Sequence, residues 1–370
     1  MKLNTLCLLT LALSSLEPTS AYPGLAQALT NLPTLPKRQT VTLLADLQTL
    51  PDTALSPAGL TIKNILLHNR AATSPQDLTT VYTPPGPLDS AACRASTCCV
   101  WKHVADTMAA AFLNPSTSHC NSLARQAVRL GFHDAGTWSQ SGGSGGGGGA
   151  DGSIILAPAE LERTENRGFV DGIAPQMRAW YDSWHDAYGV GMADLVQMGA
   201  TVASAACPLG PRVRAFVGRN DSAVAAPEGR LPPPESRDAE ALVALFADKT
   251  IGVRELVALV GAHTASRQRF VDEVLSGLPQ DSTPGVWDAV FYNETASEDP
   301  PLGVFRLPSD QALSRYPATQ ESWKVFADSV GGQTVWNDDY AAAYVRLSVL
   351  GVEHINDLTE CTGVLPLHSA

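Results

Sequence analysis

The sequence predicts a mainly α-helical protein whose long loops need bracing, and three observations carry that expectation. From Trp101 onward, apolar residues recur at helical spacing over 104–112, 122–135, 170–188, 192–206, 238–248, 254–264, 321–330 and 337–352, while strand-like alternation is scarce. Between these segments run stretches rich in Gly, Pro and Asp at 136–152, 210–236 and 276–320. Loops of that length in a compact domain carry function or require something to hold them. Finally, six cysteines remain once Cys7 is assigned to an export signal, an even set suited to disulfides.

At 370 residues and 44% hydrophobic, the chain is long enough for one large or two small domains with a real core. Residues 1–21 have the form of a signal peptide: Lys2, an apolar run over 6–13, then Thr19, Ser20 and Ala21 at a cleavable position. The run is short of the roughly 20 residues that span a bilayer, and no later stretch is a membrane candidate, so a secreted, extracellular protein is expected. Residues 22–92 hold nine of the 26 prolines, including Pro84-Pro85-Gly86-Pro87, and show periodic hydrophobicity only near 60–67. They are expected to be a propeptide or N-terminal arm without a core of its own. Lys37-Arg38 is either a processing point or an ordinary exposed pair. The principal domain then spans 93–370. A net charge of -12 argues against nucleic-acid and anionic-membrane partners. Cys93, Cys98, Cys99, Cys120, Cys207 and Cys361 allow fifteen pairings, and an oxidising compartment disfavours a metal-thiolate site. The sequons Asn220-Asp-Ser222 and Asn293-Glu-Thr295 agree with secretion, whereas Pro115 excludes Asn114.

The chemistry gathers in two histidine stretches. Before Arg129-Leu-Gly-Phe132-His133-Asp134, residues Leu123, Ala127, Val128 and Leu130 recur at helical intervals, so Arg129 and His133 share one helix face. A guanidinium charged at any working pH, beside an imidazole that titrates near neutrality, is equipped to move a proton while stabilising negative charge. For one such pair alone, an exposed Arg and a core His are the plainer explanation. A second stretch, Gly261-Ala262-His263-Thr264, with an acidic loop and Asp310 downstream, changes the balance. The glycine run 141–149 lacks the Gly-Lys-Ser/Thr ending and the preceding strand of a phosphate cradle. No Gly-x-Ser-x-Gly elbow or zinc-protease His motif supports a hydrolase.

In this order the stretches resemble the fungal secreted haem peroxidases, class II of the plant-type superfamily, over about residues 93–365. The resemblance implies a two-lobed helical haem-peroxidase fold with one haem b between distal and proximal lobes and two calcium ions bracing the loops. It implies a monomer whose partners are hydrogen peroxide and small aromatic reductants, acting in lignin or phenolic breakdown or in an oxidative-stress response. His263 matches the haem-iron ligand, with Gly261 and Ala262 leaving room for a flat macrocycle, and Asp310 its carboxylate partner. His133 matches the distal acid and base, Arg129 its charge-stabilising neighbour, Asn166 the acceptor for the other His133 nitrogen, and Phe132 the aromatic beside it. Asp134, Gly149, Asp151 and Ser153 match a distal calcium site, and Thr264, Asp281, Thr283, Val286 and Asp288 a proximal one. The implied disulfides are Cys93 to Cys99, Cys98 to Cys361 and Cys120 to Cys207.

The chain also departs from the resemblance. Where manganese-oxidising members carry three acidic residues it has Asn121, Arg125 and Ala262, and where lignin peroxidases carry an exposed Trp it has Ala258. One family disulfide is missing, with Glu321 in place of a Cys. Trp138, Trp180, Trp184 and Trp336 are candidate surface radical sites, with core packing the plainer role. These features point to a peroxidase for simple phenolic donors. The alternative is a haem-binding or sensor protein on the same scaffold, against which the Arg129 and His133 pair weighs.

Overall fold

The computed structural model describes residues 42–73, 79–143 and 147–367, so the signal segment, Cys7 and Lys37-Arg38 lie outside the described residues. The helices are α1 (Pro57–Leu66), α2 (Ala91–Arg94), α3 (Thr97–Phe112), α4 (Ser122–Ala135), α5 (Ser153–Leu156), α6 (Pro158–Leu161) and α7 (Ile173–Tyr188). They continue as α8 (Met192–Ala206), α9 (Ala239–Ala247), α10 (Val253–Val260), α11 (Val290–Ala296), α12 (Pro308–Arg315), α13 (Gln320–Phe326) and α14 (Gly332–Leu347). Among the described residues the one sheet is a short antiparallel pair, β1 (Phe216–Val217) with β2 (Thr359–Glu360).

Helix α8 is buried along its whole length, as an apolar helix surrounded on every side must be. It packs on α3, α4 and α7. Gly131 makes the α4 crossing possible, because a Cβ there would come within 2.7 Å of the Ala200 methyl and collide with the Tyr344 hydroxyl. Helix α4 begins at Asn121, whose side chain accepts hydrogen bonds from the Leu123 and Ala124 amides at 2.9 and 3.1 Å. Its Ala124, Ala127, Leu130 and Gly131 are buried, leaving Arg125, Arg129 and His133 on the other side at four-residue intervals.

A second group, α10 to α14, surrounds His263. Helix α10 passes into a 3-10 turn, Gly261–Ala265, that carries this residue. Trp336 lies stacked on Trp287 with ring centroids 5.4 Å apart, and its Nε1 donates to the Ala258 carbonyl at 2.9 Å. The space at Gly261 is already taken: a Cβ there would meet Trp336 Nε1 at 2.5 Å and the Tyr292 hydroxyl closer still. That glycine therefore serves tight helix packing, where the sequence suggested room for a macrocycle. Ala258 is fully buried, as are Trp336 and nearly all of Trp180, while Trp138 and Trp184 are partly covered.

The stretch 276–320, expected as loop, contains α11 and α12. Both are short, and α12 starts on Pro308, which suits a first helical position because its missing N–H has no partner to lose there. Helix α1 falls where the proline-rich segment showed its one periodic stretch, 60–67; Ser56 caps it through the Gly59 amide at 3.0 Å and Pro57 opens it. Its Ile62, Ile65 and Leu66 join the main hydrophobic core. Arg346 ties this segment down, donating to the Thr42 and Leu66 carbonyls at 3.0 and 3.1 Å and to Glu255 at 3.0 Å. The disulfides are Cys93–Cys99, Cys98–Cys361 and Cys120–Cys207, the pairing that the resemblance implied. The last ties the start of α4 to the end of α8, and both sequon asparagines, Asn220 and Asn293, are exposed.

Candidate active site

Helix α4 places Arg129 Nε 3.2 Å from His133 Nε2, donating to it. The opposite ring nitrogen, Nδ1, lies 2.8 Å from Asn166 Oδ1. Asn166 is itself fixed, because its Nδ2 donates to the Glu160 carbonyl at 2.8 Å. An amide oxygen has no hydrogen to give, so the shared hydrogen belongs to His133 Nδ1, and Nε2 keeps its lone pair. Burial, with the adjacent Arg129 charge, pushes the His133 pKa well below the ordinary imidazole value, despite the opposing hydrogen bond to Asn166. The ring is therefore neutral at pH 7. Arg129 is lowered by burial to about 10 and stays charged. Its two amino groups donate to the Arg167 and Glu165 carbonyls at 3.0 and 2.6 Å, and its guanidinium lies 4.3 Å from the Phe169 ring centroid. Phe132 stacks on Phe246 and meets His133 edge-on.

His263 is held differently. Its Nδ1 faces Asp310 Oδ2 at 2.9 Å, and Asp310 is almost wholly buried at the third position of α12. Burial works against charge on this ring, but the Asp310 carboxylate outweighs it, and the pKa stands above the usual value. Nε2 makes no hydrogen bond among the described residues, and 37% of the side chain is open. The two histidines lie within electrostatic reach of each other, since charge on His263 opposes charge on His133. One imidazole thus leans on a neutral amide and the other on a carboxylate.

Two loop clusters adjoin these histidines. Asp134, Gly149, Asp151 and Ser153 converge: Asp134 Oδ2 accepts from the Gly152 amide at 3.2 Å, and the Gly149 carbonyl accepts from the Asp151 amide at 2.9 Å. Gly149 adopts φ +122°, and a Cβ there would strike the Leu350 carbonyl at 2.5 Å. Thr264, Asp281, Thr283, Val286 and Asp288 converge likewise, with the Thr264 hydroxyl donating to Asp281 at 2.5 Å and reaching the Val286 carbonyl at 3.4 Å. Among the described residues, Asp134 Oδ1, Ser153 Oγ and Thr283 Oγ1 are buried without a hydrogen bond of good geometry, although Ser153 and Thr283 sit close enough to Asp151 and Asp288 to favour those carboxylates. Burial raises the pKa of Asp134 and Asp151, each further raised by a neighbouring carboxylate, and lifts Asp281 to about 7. Orphaned oxygens among crowded carboxyl groups are what a hard, oxygen-seeking cation would satisfy. Cys93, Cys99 and His103 also lie together, but both sulfurs are spent in a disulfide.

At the positions matching a manganese site, Asn121 caps α4, Arg125 donates to the Cys120 carbonyl at 2.9 Å, and Ala262 carries no ligand. Glu160 escaped the sequence argument. It is fully buried, orients Asn166 through its carbonyl and accepts from the Ala226 amide at 2.8 Å. Phe169 was missed as well, with its ring edge-on to His133 at 5.3 Å. Periodicity carries no trace of either contact, since both arise from chain folding back at 157–169.

A helical scaffold that sets an anchored but open imidazole near an Arg and His pair has the groups a haem-dependent redox enzyme needs. The comparisons with known proteins agree. The peroxidase family model matches residues 104–329. A peroxidase of Arthromyces ramosus is 33% identical over 290 residues, covering 73% of this chain and 76% of that protein. One of Coprinopsis cinerea is 33% identical over 290 residues (73% and 77%), and ligninase H2 of Phanerodontia chrysosporium 31% over 288 (73% and 74%). The chain belongs to the peroxidase family, among the fungal class II enzymes, and is a haem peroxidase that uses hydrogen peroxide. Among the described residues, no helix is long and apolar enough to cross a membrane.

Proposed function

We propose that this chain is a secreted, monomeric peroxidase that oxidises small phenolic or aromatic donors, using one haem b and two structural calcium ions. The observation that carries the reading is the pair of differently anchored imidazoles, His133 on Asn166 at 2.8 Å and His263 on Asp310 at 2.9 Å. When bound, the haem would supply redox chemistry, giving two electrons to peroxide and recovering them from donors one at a time. His263 would hold the haem iron through its free Nε2, with Asp310 at Nδ1 fixing the tautomer and making the ligand more basic. His133 Nε2 takes a proton from one peroxide oxygen and delivers it to the other, which leaves as water. Arg129 stabilises the negative charge that gathers on the departing oxygen. Asn166 keeps the accepting lone pair on Nε2, and Glu160 keeps Asn166 in place.

Asp134, Gly149, Asp151 and Ser153 would hold one calcium ion, and Thr264, Asp281, Thr283, Val286 and Asp288 the other. Asp134 directly follows His133 and Thr264 directly follows His263, so each ion would pin backbone next to a reacting imidazole. The absence of carboxylates at Asn121, Arg125 and Ala262, and the buried Ala258, favour donors that reach the haem edge over manganese or long-range electron transfer. Steady-state turnover of a simple phenol, Mn(II) and veratryl alcohol with peroxide tests this. Phenol turnover at least about a hundredfold above the other two is expected, on the scale of one lost binding site. Efficient Mn(II) oxidation, or a purified holoprotein with no haem absorption band, would overturn it.

A further inference from the structure

The outward side of α4 carries Arg125 one turn before Arg129, and two loops bring further guanidinium groups beside it. Arg267 and Arg269 follow His263 by four and six residues, and both are exposed. Burial, together with the like charges of these two arginines, holds the Arg125 pKa at about 10. From the distal side, the Arg167 carbonyl accepts from Arg129 at 3.0 Å, while the Arg167 guanidinium lies 4.9 Å from the ring centroid of Phe270. The Phe270 ring edge also abuts Gly168, and 37% of Phe270 is exposed. Thus α4, the loop through 165–168 and the loop through 266–270 meet at one rim beside Arg129.

Elsewhere on the molecule six arginines are neutralised by carboxylates, while Arg178, Arg230 and Arg306 donate to backbone carbonyls. Arg94, Arg163, Arg214, Arg219, Arg254 and Arg346 all face carboxylates. Among the described residues, Arg125, Arg167, Arg267 and Arg269 form no ion pair. Unpaired positive charge gathered at the mouth of a site, on a chain of net charge -12, is an unusual placement. The two propionates of a haem can neutralise at most two of the four, so the rim stays positive.

We propose that Arg125, Arg167, Arg267 and Arg269, with the exposed ring of Phe270, form an entry site selecting aromatic donors that carry a carboxylate. The inference rests on the phenolic-donor reading above and narrows it to phenolic acids. The guanidinium groups concentrate the anion at the rim and Phe270 offers a face for its ring, while the phenol hydroxyl remains free to give up its electron and proton. No bond forms at the rim. Arg125 and its neighbours act as positioning residues.

The test compares two donors with the same ring, ferulate and its uncharged methyl ester, at about 10 mM and about 300 mM salt, between which the Debye length falls from about 30 Å to below 8 Å. The holoenzyme and the variants Arg267→Gln/Arg269→Gln and Arg269→Glu are assayed for kcat/KM with saturating peroxide. Each screened contact is worth a few-fold, so a preference of about tenfold for the acid at low salt is expected. It should collapse toward unity at high salt and in the double variant, and fall further with Arg269→Glu. An acid-to-ester ratio indifferent to salt and to both variants overturns the inference and leaves the phenolic-donor reading intact. Loss of both donors together with a shifted haem absorption band also overturns it, assigning these arginines to the haem carboxylates. If the wild-type enzyme oxidises neither donor, the phenolic-donor reading itself fails and this inference with it.

Discussion

Replacing Asn166 by Val probes the distal arrangement without touching the acid and base itself. The substitution removes the acceptor 2.8 Å from His133 Nδ1 in a region closed to solvent, and takes one of two donors from the Glu160 carbonyl, which keeps the Arg163 amide at 3.2 Å. A buried donor left without a partner costs about 1–3 kcal/mol. The ring escapes that cost by moving its hydrogen to Nε2 or by turning away, and either change removes the lone pair that accepts the proton. At about 1.4 kcal/mol per factor of ten, the second-order reaction with peroxide should slow roughly 5- to 150-fold. The pH profile supplies the sign. His133 must be unprotonated to act, its pKa already lies well below the ordinary value, and the Asn166 hydrogen bond is one of the influences that raise it. Its loss lowers the pKa again, so the acid limb should move to lower pH while the plateau falls. Stopped-flow mixing of the haem-loaded variant with peroxide across a pH series, with the absorption band as a check on haem binding, measures both. An unchanged plateau, or an acid limb displaced upward, would refute the assignment of the tautomer.

The buried Thr283 hydroxyl gives a test of the proximal cation site whose outcome depends on calcium. If Thr283 is a calcium ligand, Thr283→Val should destabilise the protein by about 1–3 kcal/mol in calcium and cost little or nothing in a chelator, where the hydroxyl is merely an unsatisfied buried group. Denaturant unfolding in both conditions reads this; equal effects would count against a metal there. Asp310→Asn should leave the fold intact but reduce haem affinity or turnover about 10- to 100-fold, the usual effect of losing the partner of a metal-bound His. Haem titration and dye turnover on the same preparation would expose an indifferent Asp310.

Much of this was legible in the chain because it depends on local spacing. The four-residue interval of Arg129 and His133, with apolar neighbours at 123, 127, 128 and 130, places both on one helix face before any coordinates exist. Long helices, the amphipathic α4 and the wholly buried α8, were equally visible. Two short ones were not: α11 and α12 have seven and eight residues and lie inside a long stretch rich in Gly, Pro and Asp, and their stability comes from packing around His263. The start of α14 was expected five residues late, at 337, because Gly332 and Thr334 have weak helix preference and only the contact of Gln333 with the Trp287 and Ala289 backbone reveals their place. Glu160 was missed for a related reason, since its backbone and carboxylate both work across a fold that no pattern announces. The arginine rim needed three separate segments to meet, and in sequence its members look like ordinary solvated charges.

The most direct measurement of the central claim is the bimolecular rate of peroxide with haem-loaded wild type and His133→Leu. A proton acceptor at Nε2 predicts a fall of about 10² to 10⁴ with the haem band retained. A variant that reacts with peroxide within a factor of two of wild type would contradict the account.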